Sequence, residues 1–449
     1  MTAPARVAAF HALRAVTALR EDLPAALVRA RSRLTDERDR GLAVEIVTGT
    51  LRWQRQADHL IAHFARRPIA RLDADVLDIL RLSIYQVLHL DRVPAAAVVD
   101  DAVDLTRGAR KQSATGFVNA VLRSVLRGRT RLPLPPRPAD ADDEAAAIAY
   151  LGITHSHPDW LVRRWLSRHG FESAERWVQF NNAPAPLTLR ANRLRIDRDA
   201  LQGTLARDDV ETEPAAHAPD GLLVTAGNPL RGPADGSFFV QDEASQLVAL
   251  TLGAAPGEHV LDLCASPGGK TTALAAAMSD AGLLVACDVR ERRLRLLRET
   301  VRTSGAQRIR IVHVAAGGPL PFAARFDRVL VDAPCSGLGT IRRDPDIRWR
   351  RTEDELAAFA LRQGQLLQRA ADVVRPGGRL VYATCSSEPD ENEAVVERFL
   401  AERPEFEPAD LRGESAALDP VLDGSGRMRT WPFTHGLEAF FAAALTRRV

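Results

Sequence analysis

Two cysteines stand where a thiol can do chemistry. Each ends a strand-like apolar run and is followed by serine, in Val329-Leu-Val-Asp-Ala-Pro-Cys-Ser336 and in Arg379-Leu-Val-Tyr-Ala-Thr-Cys-Ser-Ser387. The thiolate is the nucleophilic form of cysteine, and backbone N–H groups freed where a strand meets a turn stabilise it. Asp332 sets a carboxylate three residues before Cys335, at the same strand end. Cys385, Cys335 and Asp332 are thus the candidates for covalent and acid–base catalysis. Cys264 and Cys287 read equally well as small buried hydrophobes.

A second cluster runs from His259 to Thr272, HVLDLCASPGGKTT. It reads as a strand buried on both faces, a glycine turn and the first turn of a helix. Such a turn offers free N–H groups to a ligand. A phosphate-binding loop would need glycine at position 264, where this chain has Cys264. The next strand ends in Cys287-Asp288. An acid at the tip of the second strand is how doubly wound folds hold a ribose diol. The adenosine-ribose reading is therefore favoured over the phosphate one. Lys270, in the glycine turn, is one of only two lysines, the other being Lys111.

These residues need rigid elements to position them. From about Phe239, strands are predicted at 259–263, 283–287, 309–314, 326–332 and 378–384. Helices are predicted at 242–252, 290–304, 353–374 and 390–400. Repeated strand–helix units imply a parallel, doubly wound sheet whose ligands sit at the carboxyl ends of its strands. Residues 1–130 instead show helical periodicity throughout, with helices predicted at 5–19, 36–64, 73–90, 95–107 and 113–126. Trp53, Tyr85, His59, His63 and His89 belong in or beside that helical core. Arg131-Leu-Pro-Leu-Pro-Pro-Arg-Pro138 and the acids after it read as a linker, 131–142. Residues 143–238 are mixed α+β, and 239–449 form the α/β body. His155 and His157 lack further ligands nearby, so His157-Pro158 reads as a helix entry and no metal is expected.

Composition narrows the class. The 449 residues are 46% hydrophobic and 26% charged, as in globular multidomain proteins. No run of 18 apolar residues is present, so no membrane span is expected. Four cysteines in so long a chain make no disulfide framework, which points to a cytoplasmic location. The overall charge of +2 hides an asymmetry. Residues 1–138 hold 23 Lys and Arg against 14 Asp and Glu, a net of +9, and the remainder is at −7. A basic front on an acidic body suits an attachment for a polyanion, though a solvated Arg-rich helical surface would look the same.

LDLCASPGGKTT, DAPCSGLGTIRRDPDIRW and YATCSSEPDENEAVVERF resemble motifs I, IV and VI of the RsmB/Sun family of RNA (cytosine-5) methyltransferases. The front module, ARVAAFHALRAV to FVNAVLRSVLR, resembles a NusB-like RNA-binding domain, and HSHPDWLVRRW, FFVQDEASQLVA and HGLEAFFAAAL extend the likeness over nearly the whole chain. The resemblance implies a NusB-like all-α domain, a small mixed region and a Rossmann-like catalytic domain dependent on S-adenosylmethionine.

It also implies roles. Cys385 would attack carbon 6 of a cytosine, and Cys335 would assist release of the methylated base. Asp332 would hydrogen-bond the ring nitrogen 3 and the exocyclic amine. Cys264, Ala265, Ser266, Pro267, Gly268, Gly269 and Lys270 would wrap the cofactor's amino-acid and sugar portions, with Asp288 on the ribose hydroxyls and Asp332 also among the cofactor-binding residues. One departure concerns adenine: relatives carry Gly-Asp after the third strand, and here Ala316 stands roughly in the acid's place. Arg342, Arg343, Arg348, Arg350 and Arg351, with Trp349, follow the Cys335 turn and are expected to hold RNA phosphates and stack on a base. The expected substrate is 16S rRNA. The same chemistry on tRNA and a non-catalytic RNA-binding factor are the alternatives, and the oligomeric state is left open.

Overall fold

The computed structural model describes residues 2–231, 235–322 and 325–449. The chain divides into two compact units, Met1–Ala183 with Ile341–Arg351, and Pro184–Thr340 with Thr352–Val449.

The first unit is helical. Its helices are Pro4–Thr17, Leu23–Ser32, Glu37–Arg52, Gln54–Ala65, Ala74–His89, Ala95–Gly108 and Thr115–Gly128, followed by Glu144–Ala149 and Asp159–Asn182. Local signals set their starts: the Asp36 carboxylate accepts from the Arg38 N–H, and Asp73 accepts from those of Asp75 and Val76. The apolar stripes of the helices between Pro4 and Gly128 meet in one core that includes Leu13, Ile46, Leu60, Ile79 and Leu122. The helix predicted at 36–64 is two helices. Trp53 breaks it at φ −105°, ψ 19°, and its ring stacks on His89 at 4.4 Å. The proline-rich stretch is pinned: Pro133 O meets His59 Nε2 at 2.8 Å, and Pro135 O accepts from Thr154 Oγ1 at 2.6 Å.

Segment 341–351 corrects an expectation. Arg348 is fully buried in the helical unit, its guanidinium donating to Arg52 O, Ser156 O, Asn181 O and Asn182 Oδ1. Trp349 Nε1 donates to Leu51 O at 2.6 Å, and the Arg342 guanidinium lies over the Phe180 ring at 4.3 Å. Arg348, Arg342 and Trp349 are structural ties of the helical unit. A guanidinium has five donors in a fixed fork, which suits convergent carbonyls as well as it suits phosphates.

The second unit carries two sheets. The smaller is antiparallel, in the order β2-β3-β1-β4, built from β1 (Thr188–Ala191), β2 (Glu211–Pro214), β3 (Gly221–Ala226) and β4 (Phe238–Val240). Leu189, Ala191 and Leu222 pack against Leu201 and Leu205 of helix Arg198–Arg207. The larger contains β5 (His259–Asp262), β6 (Leu283–Asp288), β7 (Ile309–His313), β8 (Phe326–Asp332), β9 (Val374–Thr384), β10 (Phe406–Ala409), β11 (Met428–Arg429) and β12 (Phe441–Arg447). Its order is β10-β12-β9-β8-β5-β6-β7, with β11 beside β12.

Strands β5 to β9 are parallel to one another, whereas β12 runs antiparallel to β9 and to β10. The sheet is therefore mixed, not purely parallel as the strand–helix alternation predicts. Residues alternate between two cores along each strand. Val260, Ala286, Leu330 and Val381 face one layer of helices, and Leu261, Cys287, Val331 and Tyr382 face the other. Each fully buried Val or Leu contributes about 2 kcal/mol. Strand order reverses at β5, which has β6 on one side and β8 on the other. A crevice opens at such a point, outside the carboxyl ends of the strands.

Candidate active site

Register decides which side chains meet at that edge. Asp332 at the end of β8 pairs with Ala383 of β9. The turns leaving these two strands therefore lie side by side, and they carry Cys335 and Cys385. The two sulfurs are 2.9 Å apart, and both residues are half-buried. Gly339 closes the turn: its N–H donates to Cys385 O at 2.9 Å, and its carbonyl accepts from Ala439 N at 3.0 Å. A Cβ at position 339 would collide with the Ala439 carbonyl, so only glycine fits.

The charges around the two sulfurs differ. Lys270 Nζ donates to Asp332 Oδ2 at 2.7 Å, with side chains 11% and 27% exposed. Burial alone would lower the Lys270 pKa. Asp332 and Cys385 outweigh it, so the group is held as ammonium above its ordinary value. Cys335 is the reverse case. A hydrogen bond to Cys385, burial and the nearby Glu391 carboxylate all push its thiol pKa well up, against a Gly337 N–H aimed at the sulfur. Cys335 thus holds its proton while Cys385 faces a cation.

Below these turns lies Glu391, fully buried. Its Oε1 accepts from Ser336 N at 2.9 Å and Gln363 Nε2 at 2.8 Å. Its Oε2 accepts from Ser336 Oγ and Ser386 Oγ, each at 2.5 Å. The sequence reading places this residue in a helix, 390–400. In the structure Pro389–Glu391 is a separate 3₁₀ turn, and the helix spans Glu393–Glu402.

A cavity of about 310 Å³ opens on the other side of Pro334, along the ends of β5, β6 and β7. Cys264 and Asp288 line it, and so do Val314 and Ala316. Asp288 is 3% exposed, and its Oδ1 accepts from Arg290 N at 3.1 Å. Ala265, Ser266, Pro267, Gly268 and Gly269 form the adjoining turn without lining the cavity, while Lys270 and Asp332 pair at the thiols. Gly268 has φ 108°, a region that disfavours side chains, and a Cβ there would press on Leu297 and Thr300. Around Ala316, Arg369 donates to the carbonyls of Ala315, Ala316 and Gly318.

Asp262 escaped the sequence reading. It ends β5, fully buried, and accepts from Thr271 Oγ1 at 2.7 Å, while its Oδ1 has no partner. Burial raises its pKa to about 7, with the neighbouring carboxylates of Asp332 and Asp288 adding to the shift. The signal was present as an acid inside an otherwise apolar run, VLDL.

Comparisons with known proteins fit this architecture. The family described as 16S rRNA methyltransferase RsmB/F matches residues 249–446, the NusB family matches 3–127, and an RsmF/B-like ferredoxin-like domain matches 157–231. A ribosomal RNA small subunit methyltransferase B of Pseudomonas putida is 36% identical over 423 residues, covering 92% of this chain and 93% of that protein. The chain belongs to the RsmB/F family of rRNA methyltransferases.

Another relative of this RsmB/F-family protein is the Vibrio cholerae ribosomal RNA small subunit methyltransferase B, 32% identical over 99% of this chain and 97% of its own. Among solved structures, PH0851 covers 99% of both chains at a TM-score of 0.81 and 27% identity. A methyltransferase homolog protein from Pyrococcus horikoshii is 30% identical at a TM-score of 0.58, covering 67% of this chain and 99% of its own. Among the described residues of this RsmB/F chain, no helix is long and apolar enough to cross a membrane.

Proposed function

We propose that this protein transfers a methyl group from S-adenosylmethionine to carbon 5 of a cytosine in 16S rRNA, through a covalent bond between Cys385 and carbon 6. The observation that carries the reading is the pair of thiols 2.9 Å apart, one beside an ammonium and one beside a carboxylate. Pure RNA binding has no use for that arrangement.

Carbon 5 of cytosine is a poor nucleophile. Addition of the Cys385 thiolate to carbon 6 moves the 5,6 double-bond electrons onto carbon 5 and makes it an enamine carbon. Asp332 would lie next to the reacting base and accept from its exocyclic amine and from nitrogen 3 once that nitrogen takes a proton from solvent, which neutralises the charge of the adduct, while Lys270 keeps the neighbouring charge positive. S-adenosylmethionine, when bound, supplies an electrophilic sulfonium methyl. After methylation the carbon-5 proton passes to solvent, its C–H electron pair re-forms the 5,6 double bond, and the Cys385 sulfur leaves carbon 6 with the C–S pair as a thiolate, a release that Cys335 assists.

The residues fit the cofactor. The cavity has the size of a small-molecule site. Asp288 ends β6 beside it for a ribose diol, and the unpartnered Asp262 Oδ1 supplies a buried acceptor near the turn. The turn 264–270 would hold the amino-acid portion. Residues 1–130 form the NusB-like RNA-binding module, 131–142 the linker, 143–238 the mixed region and 239–449 the catalytic domain, all in a cytoplasmic enzyme.

Replacement of Cys385 by alanine, with nucleoside mass spectrometry of treated 16S rRNA, tests the reading. 5-Methylcytidine should vanish while RNA affinity stays within about twofold. Retained methylation would remove Cys385 as the nucleophile, and activity on tRNA alone would favour the other substrate.

A further inference from the structure

Glu391 is a carboxylate in a place where carboxylates are rare. It is fully buried, and no Lys, Arg or His among the described residues pairs with it. Burial of an unpaired anion is costly unless hydrogen bonds compensate, and Glu391 accepts four: Ser336 N, Ser336 Oγ, Ser386 Oγ and Gln363 Nε2. Ser336 directly follows Cys335, and Ser386 directly follows Cys385. One carboxylate therefore holds both cysteine-bearing turns at once.

Neighbouring bonds reinforce the grip. Tyr382 Oη donates to the Glu391 carbonyl at 2.5 Å, and Asn392 joins Thr384 Oγ1 to Ser386 O. A well-packed amide could tie the turns without introducing charge. The retained anion therefore calls for an electrostatic use.

We propose that Glu391 is the positioning residue of the thiol pair. Its carboxylate fixes the two turns side by side and sets a negative charge against Cys335, so that the proton stays on Cys335 and the thiolate forms on Cys385. This rests on Cys385 being the nucleophile. The groups that face the pair are Glu391 and the Tyr382 phenol on the Cys335 side, and Lys270 with its partner Asp332 on the Cys385 side. Two thiols at hydrogen-bonding distance can share one proton, and Lys270 on the Cys385 side already draws the negative charge toward Cys385. The charge on Glu391 adds to that bias from the Cys335 side.

The test uses the full-length protein and iodoacetamide, with each cysteine's alkylation rate followed by peptide mass spectrometry from pH 6 to 9. Wild-type protein should alkylate Cys385 faster than Cys335 by more than about tenfold, because the thiolate is the reactive form. Glu391→Gln should narrow that ratio by about threefold or more, the part set by Lys270 remaining. An alkylation ratio left unchanged by Glu391→Gln overturns the proposal. A wild-type protein that favours Cys335 overturns the assignment of the nucleophile instead. Ser386→Ala keeps the charge and removes one strand of the clamp. Its alkylation ratio should stay near wild type while kcat falls about tenfold with KM unchanged, because a small misplacement of a reacting group is enough for that loss. An undiminished kcat would refute the clamp even if the Glu391→Gln protein fails to fold.

Discussion

The pair formed by Lys270 and Asp332 is the electrostatic hinge of the site, and its coupling can be measured. The two atoms are 2.7 Å apart, with side chains 11% and 27% exposed. At an effective dielectric constant of about 20, the attraction at that distance is about 6 kcal/mol. Desolvation of both ions takes back several kcal/mol, which leaves a coupling of about 2–3 kcal/mol. Asp332→Asn removes the closest partner of a buried ammonium and leaves Cys385 and Asp262 alone to oppose burial. It should cost about 3 kcal/mol, Lys270→Met about as much, and the double variant clearly less than the sum.

Urea denaturation of the four proteins at pH 7 completes the cycle. Trp431 is the one tryptophan in the second unit, so the fluorine resonance of 5-fluorotryptophan at that position reports this unit alone. A coupling below about 0.5 kcal/mol would mean that the pair behaves as an exposed surface bridge. The picture of a cation held beside Cys385 would then fall.

Three other perturbations follow from the geometry. Arg348→Met should destabilise the helical unit by about 3 kcal/mol in thermal unfolding, because four buried acceptors lose their donor; an unchanged transition would return this side chain to the RNA-facing role. Gly339→Ala should cost about 2 kcal/mol or more and weaken activity as the Cys335 turn shifts from the Ala439 carbonyl, measured by denaturation and methyl transfer together. Asp262, with its pKa raised to about 7, should make stability fall by up to about 4 kcal/mol as pH climbs from about 4 to 7, and level off above. The sign follows from proton uptake: in that window the folded unit keeps a proton that the unfolded chain has lost. Asp262→Asn should flatten the slope in urea titrations at several pH values, and an unchanged slope would place its origin elsewhere.

The candidate residues were legible where a strand end announced them. Cys335, Cys385, Asp332, Asp288 and the turn after β5 are short apolar runs broken by one reactive side chain, and register brings them to one edge. The fold class was equally legible, because helical and strand periods segregate along the chain. Long-range partners were not. Arg348 sits in an Arg-rich stretch whose composition looks like a polyanion site, and only the convergence of carbonyls from three distant segments shows it as a buried tie. Glu391 lies among Asp390 and Glu393, a pattern common to any helix start.

The antiparallel strand β12 was hidden by its own composition. Phe-Ala-Ala-Ala-Leu has weak β-propensity, and the strand forms because β9 and β10 flank it. Helix Leu23–Ser32 was missed for a related reason, since only Leu23, Ala26 and Ala30 of its ten residues are buried.

Covalent catalysis by Cys385 is tested most directly by interrupting release. The Cys335→Ala protein, incubated with 16S rRNA and S-adenosylmethionine, should accumulate an RNA–protein adduct that survives a denaturing gel. Mass mapping should place the crosslink on Cys385, and the Cys335→Ala, Cys385→Ala double variant should give none. Absence of an adduct together with continued turnover, or a crosslink on any other residue, would contradict the mechanism.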